Sequence, residues 1–299
     1  MKTVIDYRDL EGAYNRVAVA SAKGFPKECA MMEESIAFSF SAYYELVKNT
    51  ATNPDTAKSA STKPNTTNPA STNTTKLDER SQSLAALFYR NCVYLSAAYR
   101  LVREGMLDPA GNNMRTVFET IVWQYAYLCD EGMYANFKEV SDLEAQKLDS
   151  LPKKSWSNTK ERELENMRRK YSFQKAMKAL YSKETYEKFF FSQYWMLCQK
   201  SHSSMFGVNY NTPTMEGKTT MDKVPEGSEE LGSNLSALLY LAAESLHCFL
   251  NCFPDKLSKD NTDSILAFTN KINKSIPPSL SLAPDTKELP FTARFRELD

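Results

Sequence analysis

One stretch decides how the rest of the chain can be partitioned. From Thr50 to Lys76 the sequence is almost wholly Thr, Asn, Ser, Pro, Ala and Lys, with no aromatic residue and no Val, Ile, Leu or Met. Such a segment cannot bury enough apolar area to offset its ordering entropy, so it reads as a flexible, disordered linker. Four regions follow: an N-terminal helical pair (1–49), the low-complexity linker (50–76), a main bundle (77–254), and a short helix with a tail (255–299). Two helices make no core alone, so the N-terminal pair is expected to dock on the body with the linker looping out between packed elements.

Elsewhere the apolar residues recur at helical spacing. A first helix is predicted from Tyr7 to Ala22, ended by Gly24. A second starts at Pro26 and carries Met32, Ile36, Phe40, Tyr44 and Val47. In the body, Leu84, Leu87, Phe88, Leu95, Leu101 and Val102 mark a long helix ending at Gly105. Asp108-Pro109 is the pattern of a cap followed by proline in the first turn, and opens a helix with Met114, Val117, Phe118, Ile121, Tyr125 and Leu128, closed by Gly132. The short connection makes these two antiparallel neighbours. Further helices are predicted over 133–148, 158–181, 183–199, 229–253 and 263–272, and 201–228 reads as loop. With 9 Gly in 299 residues and no sustained strand alternation, the fold class is all-α, a multi-helix bundle.

Charge and cysteine usage narrow the setting. There are 37 Lys+Arg and 37 Asp+Glu, which excludes a generally polybasic protein but not a local basic patch. The most apolar window, Leu235 to Phe253, is broken by Glu244, Ser245 and His247, and so reads as a buried helix, not a membrane span. Met1 to Asp9 contains no apolar core of signal-peptide length. The expectation is a cytoplasmic chain, without a membrane partner, whose six cysteines stay reduced.

Few residues carry chemistry. Arg115 and Glu119 stand four apart in an apolar helix, beside the Met114/Phe118 stripe, so the two charges share a face. They are either a functional pair or a structural salt bridge. His202, in Lys200-Ser201-His202-Ser203, reads as a general base or an RNA-contacting group, the alternative being a helix-end histidine bonded to nearby carbonyls. Glu244-x-x-His247 has the step used in di-iron bundles, but the further ligands are missing, so no metal and no cofactor are expected. Lys153 to Lys178 holds nine Lys/Arg and three Glu, with Arg168-Arg169-Lys170 at its centre, and Asp130 to Asp149 holds six acids and two lysines. The basic run either binds a phosphate backbone through Arg168, Arg169 and Lys170 or pairs with its acidic neighbour.

The stretch Leu101-Val102-Arg103-Glu104-Gly105, then Asn113 to Ile121 with its Arg115-Thr116-Val117-Phe118-Glu119, then Tyr125-Ala126-Tyr127-Leu128, and finally Ser201-His202-Ser203, resembles a prokaryotic helical family, domain of unknown function 5677, which is similar to HEPN-like bundles. The resemblance covers roughly residues 84–253. It implies an intracellular, HEPN-like α-bundle, whose HEPN-type relatives often act as metal-independent ribonucleases in toxin or phage-defence systems, working as homodimers. Their hallmark is an arginine four to six residues before a histidine. The residues from Tyr194 to Ser201 contain no arginine, so Arg115 would have to supply the cation from another helix. Two functions follow as expectations: an RNA-binding or RNA-cleaving groove built on Arg115, Glu119 and His202, or a non-catalytic module that assembles with a protein partner.

Overall fold

The predicted antiparallel pair in the body forms around a single left-handed residue. In the computed structural model, which describes residues 7–50, 77–150, 152, 155–188, 194, 197–198, 229–276, 282–285 and 289–291, helices α3 (Glu79–Arg103) and α4 (Leu107–Cys129) are joined by a turn at Gly105, φ 77°. The Gly105 amide donates to the Val102 carbonyl at 3.0 Å and the Met106 amide to the Leu101 carbonyl at 2.8 Å. This closing pattern requires positive φ where glycine stands. It also corrects the expected start of α4. The turn is so tight that Met106 is already the cap position and Asp108 falls inside the first turn, where its charge faces the positive end of the helix.

The other helices are α1 (Tyr7–Gly24), α2 (Pro26–Thr50), α5 (Glu131–Ser150), α6 (Asn158–Lys170), α7 (Phe173–Leu180), α8 (Lys183–Lys188), α9 (Glu229–Cys252) and α10 (Lys259–Asn273). Among the described residues all regular structure is helical. The linker expected at 50–76 lies, beyond Thr50, outside the described residues.

Two more boundaries differ from expectation. Gly132 does not close α4. The chain turns at Asp130, in extended conformation, and its carboxylate accepts the Met133 amide at 3.1 Å, so α5 begins before the glycine. The helix expected over 158–181 is two helices, because Ser172 takes an extended conformation and caps α7 by accepting the Lys175 amide. The negative end of α4 is satisfied from a distance. Arg80 donates from Nε to the Tyr127 carbonyl at 2.6 Å and from Nη2 to the Leu128 carbonyl at 2.8 Å.

One continuous core holds α2, α3, α4, α7, α9 and α10 together. Phe88 of α3 stacks on Phe249 of α9 with centroids 4.0 Å apart. Inside this core a carboxamide pair joins α3 to α4: Asn91 donates to Gln124 at 2.9 Å, and Gln124 donates to the Leu84 carbonyl at 3.3 Å. Of the N-terminal pair, α2 is part of the same interior. Met32 and Leu46 of α2 are fully buried, α2 runs along α9 and α3, and Gly232 at the start of α9 lets the Phe25 ring approach so closely that an added Cβ would lie 2.9 Å from it. Helix α9 is long and apolar enough to cross a membrane, yet 83% of its apolar window is buried within the bundle. A smaller cluster, Val140, Leu143, Leu164 and Met167, closes the α5–α6 hairpin, with Trp156 and Tyr171 packed against it.

Candidate functional site

Helix α4 brings Arg115 and Glu119 together as their spacing requires. Arg115 Nε donates to Glu119 Oε1 at 2.8 Å, and the side chains are 24% and 29% exposed. A third residue joins the group. The Tyr194 hydroxyl donates to the same Glu119 oxygen at 2.8 Å, Arg115 Nη2 lies 3.4 Å from that hydroxyl, and the guanidinium carbon sits 5.6 Å from the tyrosine ring centroid. The ring is seated on an aromatic shelf, 4.7 Å from Phe173 and 5.7 Å from Phe118.

The electrostatics define what this group can do. Burial pushes the Tyr194 hydroxyl well above the ordinary phenol range, and the charge of Glu119 and the hydrogen bond to it add to the effect, so Tyr194 is a donor and not a base near neutral pH. Burial works against the charge on Arg115, but the hydrogen bond and charge of Glu119 outweigh it and hold the guanidinium cationic. The result is a cation and a phenol sharing one carboxylate oxygen at a partly open helix face. Among the described contacts its carboxylate is already engaged by both donors, so the group reads as a charged anchor at a partly exposed position.

The other predicted site residues are placed differently. His202 lies outside the described residues, so its relation to Arg115 and Glu119 is not described. Arg168 is engaged with the acidic neighbour, donating to Glu144 Oε1 from Nε at 3.1 Å and from Nη2 at 2.8 Å. Lys147 lies 2.6 Å from Glu161, and Trp156 Nε1 donates to the same carboxylate at 2.6 Å. Across the α5–α6 hairpin Arg168 thus meets an acid of the preceding segment, while Lys147–Glu161 is a pair of the opposite sense. Arg169 and Lys170 are exposed at the end of α6.

Glu244 and His247 do share a helix face, but both are buried, and their described partners are backbone groups of the tail. Glu244 Oε2 accepts the Leu282 amide at 3.0 Å, and His247 Nε2 lies 3.0 Å from the Phe291 carbonyl oxygen. Among the described residues no group of three or more His, Cys, Asp or Glu side chains is arranged to hold a metal ion. None of the six cysteines is in a disulfide, and burial pushes the thiol of Cys92 up to about 12.

Sequence reasoning missed two things. Tyr194 was visible only as an apolar residue of a helix, since its partner is remote in sequence. An exposed aromatic face on α2 and α3 was missed because helical spacing alone does not show which stripe is covered. In that face Tyr43 and Tyr89 lie 4.8 Å apart, and Phe40 lies 6.2 Å from Tyr89 and 6.5 Å from Tyr44. Compared with known proteins, the chain matches no family model, no curated protein and no solved structure.

Proposed function

We propose that this protein is a helical assembly module that pairs with a second copy of itself through the outer face of α2 and the adjoining face of α3. The observation that carries this reading is the exposure of large apolar side chains on two neighbouring helices: Tyr44 at 62% and Val47 at 43% on α2, Tyr89 at 41% and Val93 at 42% on α3, with the half-buried rings of Phe40 and Tyr43 linking Tyr44 to Tyr89. Grouped exposed apolar residues mark interaction surfaces, whereas scattered ones do not.

The charge pattern of α2 favours a second copy as the partner. Ala37 and Ser41 are small and exposed at the middle of this face, with Glu34 and Lys48 exposed seven residues to either side of Ser41. In an antiparallel pair of α2 helices crossing at Ser41, each Lys48 stands opposite the other copy's Glu34, about 10 Å from the crossing point. Glu34 already lies 3.2 Å from Lys271 of its own chain, so the second cation would join an existing pair. A standard interface buries about 800 Å² per partner, so the whole face from Glu34 to Lys48 has to contribute.

Sedimentation velocity of the full chain is expected to show a dimer. Tyr44→Glu should convert it to monomer. Lys48→Glu should weaken the dimer, and adding Glu34→Lys should restore it. A wild-type protein that stays monomeric at about 100 μM, well above the micromolar range of weak specific complexes, overturns the proposal.

A second reading, an RNA-binding or RNA-cleaving HEPN-like protein of the cytoplasm, draws its support from the partly exposed Arg115 cation beside Glu119 and Tyr194. Under it, RNA binding by the purified protein falls at least about tenfold in Arg115→Met, the loss of one charged hydrogen-bonding group. Equal RNA binding and cleavage by the wild type, Arg115→Met, Glu119→Gln and His202→Ala would remove this reading.

A further inference from the structure

We propose that the α5–α6 hairpin is a hinged arm: it turns as one unit against the bundle, about Asp130 at one connection and Tyr171–Ser172 at the other, and the cavity beside the first connection is the space into which it turns. Both connections are short breaks between helices. Only Asp130, at φ −135° and ψ 108°, stands between α4 and α5, and only Tyr171 and Ser172, at φ −99° and −124°, stand between α6 and α7. Element-terminal residues of this kind absorb the change of backbone angle in a hinge. The two breaks also lie side by side. Tyr127, one turn before Asp130, is hydrogen bonded through its hydroxyl to that of Tyr171, and Trp123, one turn earlier again, stacks on the Tyr171 ring at 4.3 Å. Two neighbouring breaks define an axis.

What lies beyond the axis holds together by itself. Val140, Leu143, Leu164 and Met167 form a core of their own, separate from the main one. The polar contacts of the arm are likewise internal: Lys147 with Glu161 at 2.6 Å, Arg168 with Glu144 at 2.8 Å and Lys160 with Gln146 at 3.1 Å. The described contacts with the bundle are at the near end. Met133 is buried in the main core three residues from the break, where a rotation displaces it least, and Tyr171 packs against both cores, as a residue on the axis must. Phe137 lies 4.9 Å from Tyr127, and Lys138 lies 2.6 Å from Glu79, a pair whose side chains are 47% and 64% exposed. An exposed ion pair holds an angle only weakly. A small contact between two separately packed units leaves relative motion as the default.

The hinge has room on one side. A cavity of about 470 Å³ lies between the start of α5 and the end of α7, walled by Ala126, Cys129, Gly132, Met133, Ala179 and Leu180. A close-packed interior resists rotation, because every side chain in the path has to be displaced. Here the first turn of α5 advances toward Leu180 into open space. This inference uses no residue of the α2–α3 face and does not rest on the pairing proposed above.

Fluorine NMR of the full chain labelled with 5-fluorotryptophan reads the motion, its three signals assigned by single Trp→Phe variants. Trp123 sits at the axis against Tyr171, and Trp156 sits within the arm, bonded to Glu161. Trp123 is expected to show exchange on the microsecond-to-millisecond scale of hinge motion while Trp156 shows none. Ala179→Phe places a ring in the cavity from an exposed position and is expected to reduce the Trp123 exchange contribution at least about threefold. Glu79→Gln removes the exposed tie to Lys138 and is expected to raise it about twofold. Absence of exchange at Trp123 in the wild type overturns the proposal without any variant. Equal exchange at Trp156 overturns it too, because the arm is then melting and not turning, and so does a Trp123 contribution that both substitutions leave unchanged.

Discussion

Lowering the pH from 7 to about 4 is expected to cost the folded protein about 3 kcal/mol through His247 alone, a shift from the ordinary 6.5 to about 4 at 1.36 kcal/mol per pH unit. Burial is the cause. It disfavours the charged imidazolium and outweighs the opposing effect of the Phe291 carbonyl, which favours a protonated ring. The folded state therefore binds this proton more weakly than the unfolded chain. The stabilisation is fully present above pH 6.5 and is lost as the pH falls through about 4. Asp78, held low by its capping bonds to Ser81, begins to matter only below its ordinary 3.8. Urea unfolding at pH 7, 5.5 and 4.5 should show falling stability in the wild type and a flatter profile in His247→Gln. A wild-type profile that is level from pH 7 to 4.5 would contradict the burial of a neutral ring. Against a total stability of about 5–15 kcal/mol for an ordinary domain, this one side chain accounts for a substantial share of the acid sensitivity.

Phe249→Ala is expected to destabilise the protein by about 3–5 kcal/mol. The ring is fully buried, stacks on Phe88 at 4.0 Å and touches Phe253 at 5.2 Å, so its removal opens a cavity where α3 and α9 cross. Val93→Ala, on the open face of α3, should change monomer stability by no more than about 0.5 kcal/mol. The contrast separates residues that hold the bundle together from those the bundle displays. Urea midpoints of the two variants decide it, and equal losses in both would mean that the α3–α9 contact is not the centre of the core.

Much of the bundle was legible in the chain because apolar spacing and turn residues are local. Pro26 and Gly105 each mark a helix boundary within a residue or two, whereas the last helix, expected from 263, starts at Lys259 because Ser258 caps it. The misplaced boundaries share a cause. At Asp108, Gly132 and Ser172 the decision lay with hydrogen bonds of the turn itself, and composition does not show which of two neighbouring residues supplies the cap. Of the candidate site, the Arg115–Glu119 pair was readable from its spacing of four. Tyr194 was not, and neither was the use of Glu244 and His247. Taken along their own helix these two look like an incomplete ligand set, while their backbone partners sit about forty residues further on, where no local pattern points. The charge run at 153–178 allowed two outcomes, and Arg168 follows the bland one in pairing with Glu144.

The placement of α9 has a consequence for how the chain comes off the ribosome. Its apolar surface is the cover for α2, yet Leu235 is synthesised long after Met32. Until that late helix emerges, α2 has only α3 to rest on and its side toward α9 stays uncovered, and contacts this distant along a chain close slowly. The growing polypeptide carries a sticky, unfinished half for most of its synthesis. The order of its helices predicts a need for chaperone cover during translation.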